Sequence, residues 1–253
     1  MCVKIKLVTI NVWHGGRLFD NLVAFLKKEN PDIVVMQEVY DGKNPKLEKR
    51  FRTIEVLKKE LGFPNLVFSP AFIDTQPIGN IEQGNAVFSK FPIVNQEVVF
   101  FDTPYGKFTS DNTEDFGSIP SILQHAIIAL NNKYLNVFNV HGIWGMNGKD
   151  NPRRLNTSKT IISQIKNKTN VILAGDFNVG FNAKTIKNIE NFLMNVFKDE
   201  LKTTFNMKQK RKGEYATAVV DMVFVSRNIE VADHYCPQAD ISDHLPLVSL
   251  LKL

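Results

Sequence analysis

Several short apolar runs of this chain end on residues that can bind a metal ion or move a proton. Asp243 and His244 stand side by side in the segment 242–247, SDHLPL, where a strand is expected to begin. Single polar residues end apolar runs in six other segments, namely 9–13, 35–39, 84–93, 138–141, 174–178 and 220–225. Carboxylates, amides and imidazoles placed in this way suit hydrolysis of a phosphate ester, which needs neutralised phosphoryl charge, an oriented water and a stabilised leaving oxygen.

Glu38 is the main candidate for a metal ligand. It follows the apolar run 33–36, so its carboxylate is expected at a strand end, clear of the sheet. Hard oxygen ligands of this kind suit Mg²⁺, with Mn²⁺ as the alternative, because these ions bind through one or two carboxylates together with water and substrate phosphate. Taken alone, Glu38 is more simply a solvated strand-end carboxylate, but the series of motifs reverses that preference.

Asp176 and Asn178 follow the apolar run 171–174 within the tetrapeptide GDFN. Their spacing of two residues lets both side chains face the same way from an extended segment. A carboxylate there can hold the attacking water, and the amide can donate a hydrogen bond to a phosphate oxygen. Taken alone, the tetrapeptide is explained equally well as a turn with Asx hydrogen bonding.

His244 supplies a group that exchanges a proton with water or with a leaving oxygen near neutral pH, which a carboxylate does not do easily. An imidazole in that role needs an orienting partner on its second nitrogen. A lone histidine is more often structural than catalytic, and we apply that expectation to His14, His125 and His234.

Together these motifs resemble the endonuclease/exonuclease/phosphatase superfamily, from Asn11 to His244 and in the family's order. Its members include pancreatic deoxyribonuclease, abasic-site endonucleases, neutral sphingomyelinases, inositol-polyphosphate 5-phosphatases and polyadenylate deadenylases. The resemblance implies that Asn11 supports the metal or the scissile phosphate, and that Asp243 faces the metal or a second metal position. It also implies that Asp221 orients His244. A charge inside the apolar run that holds Asp221 is costly unless it is paired, which agrees with that role.

The resemblance gives His141 contact with the phosphate or the part of an acid, as in the branch of deoxyribonucleases, sphingomyelinases and phosphatases. Abasic-site endonucleases have tyrosine at that point, so this chain departs from their pattern. Trp13 stands where those enzymes have a carboxylate. Members similar to deoxyribonuclease lack that carboxylate too, so metal binding by Glu38 is not put in doubt.

Three further residues are candidates for contact with substrate. Asn85 matches a segment of the family pattern and is expected to be structural or close to the phosphate. Trp144 and Arg153, with the neighbouring Arg154, are expected at the substrate entrance, although packing explains the tryptophan equally well.

Apolar periodicity predicts strands at 5–10, 33–36, 86–88, 94–101, 123–130, 134–140, 171–174, 219–225, 229–231 and 247–251. Helical periodicity is found within 18–26, 54–61, 155–165 and 186–193. The asparagine pair between 123–130 and 134–140 predicts a hairpin. The resemblance implies an α/β fold, a four-layered sandwich of two packed mixed β-sheets with helices on both outer faces, and we expect a single domain over 1–253.

Composition restricts the function only broadly. With 43% apolar and 23% charged residues, the chain is typical of a globular protein. A net charge of +5 permits nucleic acid, a phosphorylated metabolite or an anionic lipid headgroup as the partner. Cys2 and Cys236 have no metal-ligand spacing and favour a reducing, cytoplasmic setting. The opening run 3–10, interrupted by lysines, predicts a first strand rather than a signal peptide, so we expect no stable membrane insertion. We also expect a monomer.

Three long loops are predicted, at 41–49, 70–83 and 102–120. The last has Lys107 against Asp102, Asp111, Glu114 and Asp115, so that, should it border the site, it would repel a long polyanion and favour a small substrate with one or two phosphates. The basic run 208–212 is expected to be a solvated loop. The resemblance and the charge lead to a divalent-metal-dependent phosphodiesterase or nuclease, with a phosphatase or sphingomyelinase-like lipid phosphodiesterase as the alternative. An inactive binding module on the same scaffold is the alternative of another class.

Overall fold

The computed structural model describes residues 3–110, 116–145, 147–210 and 218–253. In these ranges the strands are β1 (Lys4–Asn11), β2 (Ile33–Tyr40), β3 (Asn65–Gln76), β4 (Gly79–Ser89), β5 (Ile93–Phe100), β6 (Lys107–Phe108), β7 (Ile122–Leu130), β8 (Lys133–His141), β9 (Val171–Asp176), β10 (Met194–Asn195), β11 (Asp221–Val225), β12 (Glu230–Tyr235) and β13 (Leu247–Lys252). The helices are α1 (Phe19–Glu29), α2 (Thr53–Leu61), α3 (Pro152–Ile165) and α4 (Lys184–Glu190).

The strands form two mixed sheets. The first has the order β12-β13-β1-β2-β4-β3-β6, and the second has the order β10-β11-β9-β8-β7-β5. In the first sheet β1 is an interior strand, parallel to β2 and antiparallel to β13, with Lys4 opposite Lys252 and Thr9 opposite Leu247. In the second sheet β8 is parallel to β9 and antiparallel to β7, which confirms the predicted hairpin.

Three apolar layers hold the sheets and helices together. Alternate residues of β1 and β2, such as Leu7 and Val35, pack in one core with Val137 and Ala174 of the second sheet and fill the space between the sheets. The opposite faces of β1 and β2 pack on α1 and α2, and the outer face of the second sheet packs on α3 and α4. Period-two alternation in the strands thus supplies both faces of each sheet. The predicted four-layered sandwich is confirmed.

Local signals in the sequence set the helix ends. Asn151 caps α3 by accepting a hydrogen bond from the Arg154 backbone N–H at 2.9 Å, and Pro152 occupies the first turn, where no N–H partner is needed. Asn30 and Gly62 end α1 and α2 in the left-handed conformation. Of the described helices, none is both long and apolar enough to cross a bilayer.

The prediction of a loop at 70–83 is wrong, because β3 and β4 extend through this segment as a hairpin. Pro70 and Gly79 suggested a loop, but the register shifts between Pro70 and Phe72. A bulge is one of the few places where a sheet accepts proline. The predicted loop 102–120 contains β6 and a short 3₁₀ turn at Phe116–Ser118. Its acidic residues Asp111, Glu114 and Asp115 lie outside the described residues, as do Arg211 and Lys212 of the basic run.

Candidate active site

The predicted polar residues gather around one cavity with a volume of about 270 Å³. It opens where β1 and β2 of the first sheet and β8 and β9 of the second sheet end. The predicted site residues that line it are Glu38, His141, Trp144, Asp176, Asn178, Asp243 and His244. Seven positions spread over more than 200 residues of sequence therefore meet at the same edge of the sandwich.

Glu38 lies on a bulge of β2. The pairing of β2 with β4 shifts register between Met36 and Val39, and Glu38 has a φ of 60°. A bulge re-aims a side chain, which explains how this strand residue faces the cavity. Its carboxylate accepts hydrogen bonds from Asn11 Nδ2 at 2.9 Å and from the His14 backbone N–H at 2.8 Å. Burial would raise the pKa of Glu38, but the charges of His14 and His141 and these two hydrogen bonds outweigh it and lower the pKa to about 2.

Asn11 connects the two sheets at the site. Its Nδ2 donates to Glu38 and also, at 3.1 Å, to Asp176 Oδ2 on β9. Its Oδ1 accepts a hydrogen bond from the Trp13 backbone N–H at 3.1 Å. At 1% exposure the amide is part of the floor of the site rather than of its solvent face. One side chain thus holds a carboxylate of each sheet at the same point.

Asp176 ends β9 and is fixed from both sides. Its Oδ1 accepts the Asn178 backbone N–H at 2.8 Å, in the manner of an Asx turn, and Asn178 has a φ of 53°. The Asn178 amide donates to the Gly142 carbonyl oxygen at 3.0 Å. Burial and the negative charge of Asp221 raise the pKa of Asp176 above its usual value, against the opposing effect of His244 and His141.

His244 is paired with Asp221, as the resemblance implied. The distance from its Nδ1 to Asp221 Oδ2 is 2.8 Å, and its Nε2 lies 3.9 Å from Asp176 Oδ2. Burial would lower the pKa of His244, but Asp221, Asp243 and Asp176 together raise it to about 10. Thr204 holds Asp221 in turn, because its hydroxyl accepts the backbone N–H of Asp221 at 3.2 Å.

His141 and Asp243 complete the polar side of the cavity. His141 Nε2 lies 3.9 Å from Glu38 Oε1 and 4.0 Å from Asp176 Oδ2, and its side chain is 24% exposed. The Asp243 carboxylate is 3.5 Å from Lys210 Nζ. Imidazole, carboxylate and ammonium groups therefore face the same small volume.

Two predicted substrate contacts lie elsewhere. Asn85 is fully buried between the sheets and donates to the Asn139 backbone oxygen at 3.2 Å. Arg153 is ion-paired with Asp102 and donates to the Gly117 backbone oxygen. Neither residue lines the cavity, whereas Trp144 does.

Several cavity residues were not predicted. His14, which we expected to be structural, lines the cavity, and so does Lys210 from the run expected to be solvated. Ser110 reaches the wall because the buried Asp74 carboxylate accepts its backbone N–H at 3.0 Å and its hydroxyl at 2.6 Å. Only the three-dimensional pairing of β3 with β6 brings Asp74 and Ser110 together, so no local pattern marks them.

The other two histidines and the described cysteine have the expected structural character. The rings of His125 and Phe138 are stacked at 4.1 Å, and His234 pairs with Glu200 on the surface. Burial and the charge of Asp221 raise the pKa of Cys236 to about 12, so its thiol stays protonated and unreactive at neutral pH.

The donor chemistry fits a hard divalent cation. Glu38 and Asp176 present carboxylate oxygens beside the Asn11 amide, and oxygen donors of this type suit Mg²⁺ and Mn²⁺. A second possible group consists of Asp176, Asp221 and His244, with one ligand atom of each within 4.8 Å of the others. Asp221 is hydrogen-bonded to His244 Nδ1, and a metal bound by this second group would break that hydrogen bond. The second group is therefore a poorer metal site than the first.

A four-layered sandwich with a carboxylate- and imidazole-lined cavity at one edge is the architecture of a family whose members are generally phosphoesterases. The chain belongs to the Endonuclease/Exonuclease/phosphatase family, whose sequence pattern matches residues 8–244. No curated protein matches the chain in sequence.

Solved structures agree with the assignment at the level of fold. An endonuclease/exonuclease/phosphatase from Beutenbergia cavernae is 18% identical with a TM-score of 0.76, over 99% of this chain and 72% of that chain. The mannosyl-6-phosphatase Bt3783 of Bacteroides thetaiotaomicron is 16% identical with a TM-score of 0.71, over 98% and 99% of the two chains. TDP2 of D. rerio, complexed with a single-strand DNA product, is 15% identical with a TM-score of 0.69, over 98% of each chain.

Proposed function

We propose that this protein is a Mg²⁺-dependent hydrolase of phosphate ester bonds that works as a monomer and as one domain over 1–253. The observation that supports it best is the chain of contacts from Glu38 through Asn11 to Asp176, with the Asp221–His244 pair close to the same Asp176 oxygen. Metal-binding, water-holding and proton-carrying groups are thus adjacent in one cavity.

Glu38 would hold the metal, with Asn11 and Asp243 nearby. When bound, the ion neutralises charge on the phosphoryl oxygens and stabilises the charge that develops in the transition state. The low pKa of Glu38 keeps its carboxylate ionised over the whole working range of pH. The His14 backbone N–H fixes the second oxygen of this carboxylate, so its orientation is set before any ligand arrives.

Asp176 would hold the attacking water, while His141 and Asn178 bind the phosphate. The backbone N–H of Asn178 and the Asn11 amide occupy one oxygen each of Asp176 and orient the group. Its raised pKa makes it a better proton acceptor than an exposed aspartate. His244, protonated at neutral pH and steadied by Asp221, can donate to the leaving oxygen. Which of these two groups takes the proton of the water stays open.

The apolar part of the cavity lining favours a small substrate. Ser110 and Ile119, near the two ends of the segment 111–118, both line the cavity, together with Phe72 and Trp144. An apolar wall of this type suits the organic part of a small phosphoester better than a duplex with regularly spaced phosphates. The mannosyl-6-phosphatase of similar fold agrees with that choice.

A nuclease is the second candidate. The net charge of +5 favours a polyanionic substrate, and TDP2 of similar fold is described with single-strand DNA. Contacts with the phosphate backbone supply most of the nonspecific affinity for DNA. The DNA affinity of a nuclease would therefore fall strongly as the salt concentration rises.

The test is a substrate panel with purified protein. Hydrolysis of p-nitrophenyl phosphate, bis-p-nitrophenyl phosphate, inositol phosphates, sphingomyelin, plasmid and single-stranded DNA is measured with Mg²⁺, with Mn²⁺ and with a chelator. We expect turnover of a small ester that the chelator abolishes. A His244→Ala variant purified in parallel controls for contaminating enzymes and should lower kcat by about 10²–10⁴-fold. Failure of all esters with both ions would favour a binding module instead.

A further inference from the structure

Lys210 is a cation at the active-site cavity to which the mechanism gives no part. Of the described residues that line the cavity, it is the one lysine or arginine. Its ammonium group lies 3.5 Å from Asp243 Oδ2, longer than the usual 2.7–2.9 Å of a strong charged hydrogen bond. An ammonium group has three donors, so the contact with Asp243 leaves capacity for a ligand in the cavity.

The position of Lys210 is fixed by the fold. Its backbone N–H donates to the Asn206 carbonyl oxygen at 2.9 Å. The Asn206 backbone N–H donates to the Asp243 backbone oxygen at 2.8 Å, and its side-chain amide donates to the Ser242 backbone oxygen at 2.9 Å. The turn that carries Lys210 is therefore attached directly to the segment that carries Asp243 and His244.

The ring of Phe205 contacts both the Lys210 ammonium group and the ring of His244. Its ring packs against His244 with centroids 4.7 Å apart, and Lys210 Nζ lies 4.3 Å from the centroid of the same ring. Phe205 and His244 also form a backbone bridge. A cation held over an aromatic face keeps a preferred place, so Lys210 and His244 are set on the same side of the cavity.

The charge of the cavity explains what this cation can do. Three carboxylates, those of Glu38, Asp176 and Asp243, line the cavity. A phosphomonoester carries a charge of about −1.5 to −2 at pH 7, whereas a phosphodiester carries one negative charge. Each further negative charge on the substrate increases repulsion by the carboxylates, and an ammonium group at the cavity reduces that repulsion most for the monoester.

We propose that Lys210 binds the third non-bridging phosphate oxygen, which a phosphomonoester has and a phosphodiester lacks, and so selects a terminal phosphate over a phosphodiester. This inference rests on the proposed phosphoesterase function and makes its substrate class more specific. Asp243 holds the ammonium group in the free enzyme, and the phosphate oxygen becomes a further acceptor when substrate enters.

The experiment compares Lys210→Met with Lys208→Met. Lys208 is exposed on the same turn and does not line the cavity, so its replacement changes the net charge equally without touching the site. For p-nitrophenyl phosphate, kcat/KM of Lys210→Met should fall about 10- to 100-fold, the worth of a hydrogen bond to a charged group. For bis-p-nitrophenyl phosphate the fall should stay below about 3-fold, and Lys208→Met should change neither value. Lys210→Arg should restore most of the monoester activity, because it restores the charge.

A second measurement does not depend on turnover. Calorimetric titration of inorganic phosphate in the presence of Mg²⁺ should give a Kd about 10-fold higher for Lys210→Met than for wild type and for Lys208→Met. Equal losses on both esters, or equal Kd values, would overturn the inference while leaving the phosphoesterase in place. If wild type hydrolyses neither ester, the proposed function fails, and the phosphate Kd values alone decide whether Lys210 binds phosphate.

Discussion

Four residues at the site have a backbone conformation that L-amino acids rarely adopt. Trp13, His14, Glu38 and Asn178 all have φ between 47° and 60°. Such positions cost about 1–3 kcal/mol each and persist only where their surroundings hold them. Here the restraints include hydrogen bonds from the Trp13 and His14 backbone N–H groups to side chains of the site. The fold therefore holds these residues of the site in strained conformations, at the expense of stability.

Glu38→Gln should abolish metal-dependent hydrolysis while leaving the fold intact. The amide keeps the shape of the side chain and removes the charge that a divalent ion requires. Activity is measured over a range of Mg²⁺ concentrations, and folding is checked by circular dichroism. Glu55→Gln on the exposed face of α2 is the matched control and should retain full activity. Full turnover by Glu38→Gln in a chelator would contradict the assignment of Glu38 as a ligand.

The contribution of His244 to the stability of the metal-free protein should be lost as the pH rises. Its pKa is raised to about 10 in the folded protein, above the ordinary value of 6.5. A group whose pKa is higher in the folded state stabilises fully below its unfolded pKa and loses that contribution as the pH rises through its folded pKa. The fall in Tm between pH 6.5 and pH 10, measured in EDTA, should therefore be larger for wild type than for His244→Gln. An equal fall in both proteins would contradict the electrostatic stabilisation of protonated His244 by Asp221, Asp243 and Asp176.

At this scale the sequence carried much of the information. Asp176, Asn178 and His244 stand beside apolar runs, and that placement together with the resemblance to the family singled them out. His14 and Lys210 were not found, because one reaches the cavity through a left-handed turn and the other through the pairing of Asn206 with the segment 242–243. Asn85, expected to be structural or close to the phosphate, is fully buried, which agrees with the structural alternative.

Strand β9 shows why a glycine precedes Asp176. Gly175 has a φ of 138°, and a Cβ atom at this position would lie 2.1 Å from the Val140 backbone oxygen of β8. The close approach of β8 and β9 brings His141 opposite Asp176 in the ladder. A side chain at position 175 would push the two strands apart at the point where they carry the site.

Gly175→Ala should therefore reduce kcat strongly and destabilise the protein by about 1–3 kcal/mol, the usual range for overpacking. Gly62→Ala provides the comparison, since Gly62 also has positive φ, at 67°, but has no atom within 4 Å of its Cβ position. That variant should lose stability through backbone strain alone and keep its kcat. Steady-state kinetics and thermal unfolding of both variants test the prediction. A normal kcat for Gly175→Ala would contradict it.

A buried amide network connects the sheets beneath the site. Asn139 of β8 accepts a hydrogen bond from Gln37 Nε2 at 2.7 Å, and its own amide donates to Gln124 and to the backbone oxygens of Met36 and Ala86. Gln37 precedes Glu38, and Asn139 is two residues before His141. The network thus joins the two elements that carry these groups.

Asn139→Leu should lower the free energy of unfolding by about 2–4 kcal/mol. The substitution leaves buried donors and acceptors on both sheets without partners, and each unsatisfied group costs about 1–3 kcal/mol. Equilibrium unfolding in urea measures the loss, and Asn132→Leu in the exposed turn between β7 and β8 is the matched control, expected to change stability little. A loss no larger than that of the control would contradict a structural role for the network.

The strands with strong alternation were predicted within a few residues, whereas β3 was not. It contains Pro70 and Asp74, which argue locally for a loop. Its hydrogen-bonding partners accept both residues, because the proline lies at a bulge and the aspartate is bonded by Ser110 and Gln76. Long-range pairing of this kind overrides local propensity, and no window of sequence contains it.

For the whole molecule, the response to salt distinguishes the two substrate classes. If small esters are the substrates, kcat/KM for p-nitrophenyl phosphate should change little between about 50 and 200 mM salt, because few ions are released on binding. For a duplex with 6–10 phosphate contacts the loss would be about 10³–10⁵-fold over the same range. Measuring both substrates under identical conditions provides the control. A steep fall for DNA together with negligible small-ester turnover would restore the nuclease as the first choice.

The order of the strands has a consequence for the making of the protein. Strand β1, which ends at Asn11, is an interior strand whose neighbour β13 follows His244. During synthesis on the ribosome, β1 cannot pair with β13, and Asn11 cannot meet Asp243 and His244, until residues 243–252 have been made. A chain interrupted at any earlier point lacks both. We therefore expect the proposed hydrolase to be inactive until these residues have been synthesised, and products terminated before Asp243 to be inactive as well.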